Sequence, residues 1–410
     1  MSLLAEKNPK ATDGAHTDSA AAFVPDQSRA ERRTSYAVAD FPVPGGREEE
    51  WRFTPVDRLK GLFAEEGSTE GALVVDSEAP EGVELLDLPM DDARVGSAYR
   101  PADRAAVTAW AGTERALYVG IPAEAELAAP VFVRLTGTGA GRGNGHTVIE
   151  AGRHSRGTVV LQHSGSAQHT AGIEVRVGDG ADLTVVSVQE WEDDAIHLAQ
   201  HDALIGRDAH LRHIVVTLGG ELVRISTNAR YAGPGGSFEG LGVYFADAGQ
   251  HQEHRLFVDH EAPHCHSNVE YKGALQGETA HTIWVGDVLI RASAEGTDTY
   301  ELNRNLILDD GARADSIPNL EIETGEIVGA GHASATGRFD DEQLFYLQAR
   351  GIPEDVARRL VVRGFFASVV ARIGVPEVSE RLMKAIDVEL GGAPEAAFDE
   401  DAADLVEAAQ

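Results

Sequence analysis

Between about residues 106 and 325 the chain is written in short runs of β-branched and aliphatic residues broken by Gly, Asp and Asn. Four runs show the rhythm: TVVLQH (158–163), TVVSVQ (184–189), HIVVTL (213–218) and GLGVYF (240–245). Each follows a turn, EAGRHS, VGDGADL, IGRDAHL or GPGGSFE. The turn centres fall at Gly152, Gly180, Asp208 and Gly236, each 28 residues after the last. A fixed period with turn chemistry at one phase marks units that stack on one another. Units of this length holding two or three short strands predict a parallel β-helix. A β-sandwich or cupin-like barrel, which would show hairpin turns such as Asn-Gly at shorter spacing, stays as the alternative. The next turn is expected near 264, where APHCHSNVEYKG starts. Beyond it the register drifts, and LDDGARADS (308–316) reads as the same turn displaced by an insertion.

The pattern changes at both flanks. In PVPGGREEEWRFTPVDRLKGLF (42–63), Pro and Gly break the chain and acids follow at a helix start, where the helix dipole favours them. Trp51, Phe53, Leu59, Leu62 and Phe63 supply an apolar face. From 340 to 390 a helical period takes over: Leu344, Phe345 and Leu347, then Val356, Leu360, Val361, Phe365, Val369 and Val370. GIP (351–353) and GVP (374–376) punctuate it, since Pro suits a first helical turn. The reading divides the chain into a disordered tail (1–40), an N-terminal helical or mixed module (41–105), the β-helix core (106–339), a C-terminal helical domain (340–392) and an acidic tail (393–410). Flanking helices are expected to cap both ends of the solenoid, because an exposed sheet edge invites pairing.

Composition narrows the function. Lys+Arg number 35 against 67 Asp+Glu, a net charge of −32 over 410 residues. Such a surface disfavours nucleic acid and anionic membrane as partners. The first residues lack the basic-then-apolar order of a signal peptide, and no apolar stretch reaches the length of a membrane span, so a cytoplasmic protein is expected. The lone cysteine, Cys265, rules out an intrachain disulfide and an all-cysteine metal site from this chain alone.

Candidate chemistry is sparse. There is no GxxxxGK[ST] loop, no GxSxG elbow and no HExxH. GTGAGRGNGH (137–146) lacks the strand–turn–helix setting of a dinucleotide site and reads as a loop. Asp340 and Asp341 carry little weight as a glycosidase-type pair in so acidic a chain. Histidine stands out. His251, His254, His260, His264, His266 and His281 crowd one stretch, and imidazole suits zinc, iron and copper. Alternation places His264 and His266 on one side of a strand, with Cys265 opposite. His264, His266, His281 and Cys265 are therefore a candidate metal set, against the plainer reading of polar groups on solvated turns. His332 stands apart, flanked by Gly329, Ala330, Gly331 and Ala333. Small neighbours let another surface come close, and one imidazole can supply only one ligand.

NLEIETGEIVGAGHASATGRFDDEQLFYLQARGI followed by RGFFASVVARI resembles the C-terminal signature of the SufD family, scaffold components of the SUF iron–sulfur cluster assembly system. REEEWRFTPVDRL is similar to that family's N-terminal W-[KR]-[YF]-T element, and SNVEYKGAL and NRNLIL lie in the expected order between them. The resemblance covers about 42–390 and looks most like the actinobacterial branch. It implies a right-handed parallel β-helix with helical ends and no enzymatic activity in this subunit. It implies pairing with the paralogue SufB through the β-helices, and docking of the ATPase SufC on the C-terminal helices at Arg363, Gly364, Phe365, Phe366, Val369 and Val370. It implies a transient iron–sulfur cluster shared with SufB, with His332 as this chain's ligand, and no cofactor tightly bound by the lone chain. Reduced flavin is linked to the complex in some members, and no residue here places it. Many members carry a cysteine two residues before the histidine; here that position is Ala330, so thiolate ligands must come from SufB. A SufB-like paralogue and a histidine-based metal-binding solenoid remain as alternatives, and a secreted carbohydrate-active β-helix lacks its expected signal and groove carboxylates. Whether the lone chain forms a homodimer stays open.

Overall fold

The computed structural model describes residues 32–339 and 341–391; Asp340 and the segments 1–31 and 392–410, which hold most of both expected tails, lie outside them. The architecture is a parallel β-helix of about eight coils. It opens with β1 (Leu73–Glu78), β2 (Glu84–Pro89), helix α1 (Arg104–Ala111), β3 (Arg115–Ile121) and the long strands β4 (Val131–Ala151) and β5 (Arg156–Val177). Ten-residue strands then alternate between two faces, apart from the shorter β8. One face stacks β6 (Asp182–Trp191), β8 (His210–Thr217), β10 (Ser237–Ala246), β12 (His266–Leu275), β14 (Asp298–Ile307) and β16 (Gly329–Arg338). The other stacks β7 (Ile196–Ile205), β9 (Leu222–Tyr231), β11 (His251–His260), β13 (His281–Ile290) and β15 (Arg313–Ile322). Helices α2 (Asp341–Ala349), α3 (Glu354–Val370) and α4 (Pro376–Glu389) finish the chain.

Each coil thus holds two strands, joined by corners too short for a third. The drift seen in the sequence has a physical source in those corners. β6 and β8 start 28 residues apart, at 182 and 210, whereas β12 and β14 start 32 apart, at 266 and 298. The corner before β8 spans 206–209, and that before β14 spans 291–297. The strands keep register while the corners absorb the insertion.

Alternate residues point inward. Val159, Leu161, Val185, Leu183, Ile205, Leu211, Phe238 and Val269 form a buried spine. Two tyrosines lock adjacent coils. Tyr244 lies in register with Gly273, and Gly242 with Tyr271. A Cβ on either glycine would run into the ring of the paired tyrosine. Glycine is required here for space, the backbone approach that only a missing side chain allows.

Both flat faces are covered. The N-terminal module lies over the β7–β9–β11 face, burying Trp51, Leu59, Leu62 and Phe63 against Ile196, Leu198 and Leu222. Its polar anchor is Arg224, whose Nη1 donates to Asp103 Oδ2 at 2.7 Å and whose guanidinium lies 4.0 Å from the Trp51 ring centroid. Burial pushes the Glu253 carboxyl up, but Arg224, His251 and Arg255 outweigh it and hold its pKa well below the usual range. Thr54 donates to the same carboxylate at 2.6 Å. The WRFT element is therefore a clamp of Trp51 and Thr54 on a buried ion network. Residues 32–40, grouped with the tail in the sequence reading, belong to this layer: Val38 buries with Phe41 of the module against Val107, and Arg32 donates to Asn228 at 2.6 Å.

Helices α3 and α4 cover the opposite face. Val362, Phe366, Val369, Val370, Leu382 and Ile386 pack on Val186, Ile214, Val216, Leu241, Val243 and Phe245. Arg372 bridges Glu239 and Glu270, the latter at 2.8 Å. This corrects the expectation of helical end-caps. The helices lie along the flank, and among the described residues nothing pairs with the outer edges of β15 and β16. The other end differs: β1 and β2 are short strands, added antiparallel to β4 and β3.

Gly273→Ala and Gly242→Ala are each expected to cost about 1–3 kcal/mol by overpacking. Urea unfolding followed by circular dichroism checks this, with Gly325→Ala, which meets open space, as the neutral comparison.

Candidate functional site

His332 sits on β16, the last rung of the solenoid. Its register partner on β14 is Glu301, and Glu301 pairs with Val269 on β12. The column continues through Gly240 and His213 to Val185 and Val159. His332 therefore occupies an inward-facing position that no further coil covers, and it is exposed. Ala330 occupies the next inward-facing position, paired with Thr299. Gly331 lies beside the half-exposed ring of Tyr300.

Glu301 was not singled out by sequence reasoning. It is 1% exposed, and neither carboxylate oxygen has a hydrogen-bond partner. Its Oε2 lies against Gly286 on the opposite face, where a Cβ would approach to 2.7 Å. Burial, followed by the charge of Asp287, pushes its pKa up to about 8. Below it, Asn303, Asn305 and Tyr244 form a buried polar chain: Tyr244 donates to Asn305 at 2.6 Å, and Asn303 donates to Tyr244 at 2.8 Å. The open end thus presents an imidazole above a buried acid and a polar floor.

The cluster at 251–281 does not come together as a metal set. His264 is in the left-handed region at φ 58°, with its ring packed over Gly296. His266 lies 3.5 Å from Asp298, and His281 lies 2.7 Å from Asp315. Each imidazole takes its partner from the next coil, which spreads the group along the ladder. Cys265 is buried, and its Sγ lies 3.6 Å from the carbonyl oxygens of Gly233 and Pro263. Burial pushes its thiol pKa up, which keeps it un-ionised and a poor ligand. Nor do His251, His254 and His260 lie on solvated turns: all three are buried on β11. His254 Nε2 lies 2.9 Å from the Thr217 hydroxyl, and His260 Nε2 lies 2.9 Å from that of Ser267.

The C-terminal residues expected at a docking face divide. Phe366, Val369 and Val370 are buried against the solenoid and are not surface groups, because the helix period marks its buried stripe. Arg363, Gly364 and Phe365 are half-buried, with Arg363 ion-paired to Asp387. The aromatic surface of this region is on α2, at Phe345 and Tyr346.

A second histidine group, also missed in the sequence, does converge. His163, His169 and His197 are buried, and one ring nitrogen from each lies within 4.8 Å of the others. His163 and His169 straddle the corner of β5, and His197 stacks in register on His169. The signal was present: 169 and 197 are separated by one 28-residue period, and 163 lies just before the turn.

Glu301 gives a pH test. Its folded pKa of about 8 exceeds its unfolded value of 4.5, so the native state holds a proton that the unfolded state releases. Stability from this group is full below about pH 4.5 and is lost as pH rises to 8. Glu301→Gln removes that slope. Relative to wild type it is expected to gain about 2–4 kcal/mol at pH 8 compared with pH 5, read from urea midpoints at the two pH values.

The sequence is similar to known iron–sulfur cluster assembly proteins. A family profile described as the SufBD core domain, SUF system iron–sulfur cluster assembly, matches residues 134–365. An iron–sulfur cluster assembly SufBD family protein of Mycobacterium bovis is 52% identical over 370 residues, covering 88% of this chain and 93% of the relative. One from Mycobacterium leprae is 52% identical over 363 residues, covering 87% and 93%. A second family member in Mycobacterium leprae is 27% identical over 225 residues, covering 55% of this chain and 26% of that protein. With more than half of the chain under the profile and the long relatives spanning most of the remainder, this chain belongs to the SufBD family of SUF-system iron–sulfur cluster assembly proteins.

Proposed function

We propose that this chain is the SufD-type subunit of a SUF scaffold, a non-catalytic partner that pairs with a SufB-type paralogue across its last coil. The observation that carries this reading is the open edge of β16, which places His332 at the end of an inward-facing column with no strand above it among the described residues. A parallel edge offers unpaired backbone groups to a second solenoid. Gly329, Ala330, Gly331 and Ala333 allow close approach. The nascent cluster is cargo, held in transit between the two chains. His332 supplies nitrogen from this side; Ala330 leaves thiolates to the partner.

That Mycobacterium leprae holds two family members, alike to this chain to very different degrees, suits a pair of paralogues built to join. The WRFT element favours the SufD-type partner over the SufB-type. The SufC-type ATPase docks on the C-terminal helices through what they leave exposed: Phe345 and Tyr346 on α2, with Ala367 on α3. Chemical energy enters through that partner.

Co-expression with the SufB-type and SufC-type proteins of the same genome tests the reading. The expected product is a stable complex carrying iron and sulfide. His332→Ala is expected to keep the complex and lose most of both. A complex whose iron and sulfide are unchanged in His332→Ala contradicts the ligand role, and a folded chain that ignores both partners contradicts the scaffold role.

A further inference from the structure

The solenoid interior has two unlike halves. One is the aliphatic spine. The other, at the corner where β5 turns from one face to the other, is lined by imidazoles. His163 faces His169 and His197 with ring centroids 6.1 and 5.0 Å away, and His169 stacks on His197 at 4.8 Å. Trp191 closes the group, 5.4 Å from His197. Ala167, Ala171, Ala199, Val223 and Ile225 form an apolar wall.

The second nitrogen of each ring is committed. His163 Nδ1 lies 3.0 Å from the Val188 carbonyl, and His169 Nδ1 lies 2.9 Å from the Gly143 carbonyl. Trp191 Nε1 donates to His197 Nδ1 at 3.1 Å, and Gln189 Oε1 lies 2.9 Å from the same nitrogen. At His163 and His169 an Nδ1–H that donates to a carbonyl fixes the tautomer and leaves Nε2 with its lone pair; His197 takes the same form when its Nδ1 donates to Gln189 in place of accepting from Trp191. Metal-bound histidines are held in this way. His197 Nε2 is buried without a hydrogen-bond partner. A buried orphan of this kind costs about 1–3 kcal/mol, and packing alone offers no return for it. Burial also keeps the rings neutral, with pKa values down to about 3 for His163 and about 4 for His169. They need shed no proton to coordinate.

We propose that His163, His169 and His197 form a buried transition-metal site, distinct from the cluster position at His332. Three imidazoles with no carboxylate favour zinc or ferrous iron over magnesium or calcium. Nitrogens at about 2.0–2.1 Å from a tetrahedral ion lie closer together than 4.8 Å, so the rings move inward on binding. Three protein ligands leave the fourth position to water or a small anion. The ion would tie β5 to β7 across the corner where the chain passes from one face to the other. This departs from the expectation that the lone chain binds no metal tightly. It does not depend on the scaffold reading.

The test uses the full chain alone, refolded with Co²⁺ as a spectroscopic probe and, separately, with Zn²⁺, then freed of loose metal by gel filtration with a chelator. The expected result is about one ion per chain, a tetrahedral cobalt d–d band, and a Tm raised by Zn²⁺. His169→Gln and His197→Gln should each lose the band at least about tenfold in affinity, as loss of a ligand requires. His332→Ala should keep it. A folded wild-type chain that takes up neither ion overturns the site, and so does a cobalt band that survives both glutamine variants. Should a variant fail to fold, the wild-type uptake and Tm shift still decide.

Discussion

In a parallel solenoid each strand is completed by the next coil. Backbone groups pair across the coils, and every inward side chain sits on its register partner, as Val269, Glu301 and His332 do. Strand register is therefore fixed by stacking, while length can vary only at the corners. The same rule requires that the last coil be finished by something else. Here the N-terminal module and helices α3 and α4 are spent on the two flat faces. The end at β15 and β16 is left with its edge and its interior positions open among the described residues. A fold that could have been closed by its own helices instead carries an exposed imidazole on its final rung.

Polar chemistry is concentrated inside this fold more than its valine-rich strands suggest. Glu174 accepts from the backbone N–H groups of Gly96, Ala98 and Tyr99, and Glu253 is enclosed by Arg224 and Arg255. These buried carboxylates have full sets of partners and pin the N-terminal layer to the sheet, because breaking either set would strand a charge. Glu301 and His197 are the contrast. Each is buried with an unsatisfied atom. Other buried side chains, among them His254 and His260, share this state, and a ligand is one way to supply the missing interaction. One lies beneath the open end and the other at the β5 corner.

The architecture was legible because turn chemistry recurs. Gly180 and Asp208 are in the left-handed region, at φ 68° and 50°, and mark corners that the sequence shows as VGDG and GRDA. The number of strands per coil was not legible, since valine-rich runs look alike on either face. The helical period in RGFFASVV was read correctly as amphipathic, but a period does not say what covers the stripe. Phe366 and Val369 are covered by the solenoid itself. The histidines failed in both directions. Those at 251–281 are dense in sequence yet are drawn apart along successive rungs. Those at 163, 169 and 197 look scattered until a corner and one period bring them together. His332 drew notice through its small neighbours, but its place on the last rung needed the register.

Hydrogen–deuterium exchange on the chain, alone and in complex with its SufB-type paralogue, tests the claim that the last coil is the joining surface. The account predicts fast exchange for the outward amides of Gly329–Arg338 in the lone chain and strong protection of the same amides in the complex. Protection confined to the outer helices α3 and α4, with Gly329–Arg338 unchanged, would contradict it.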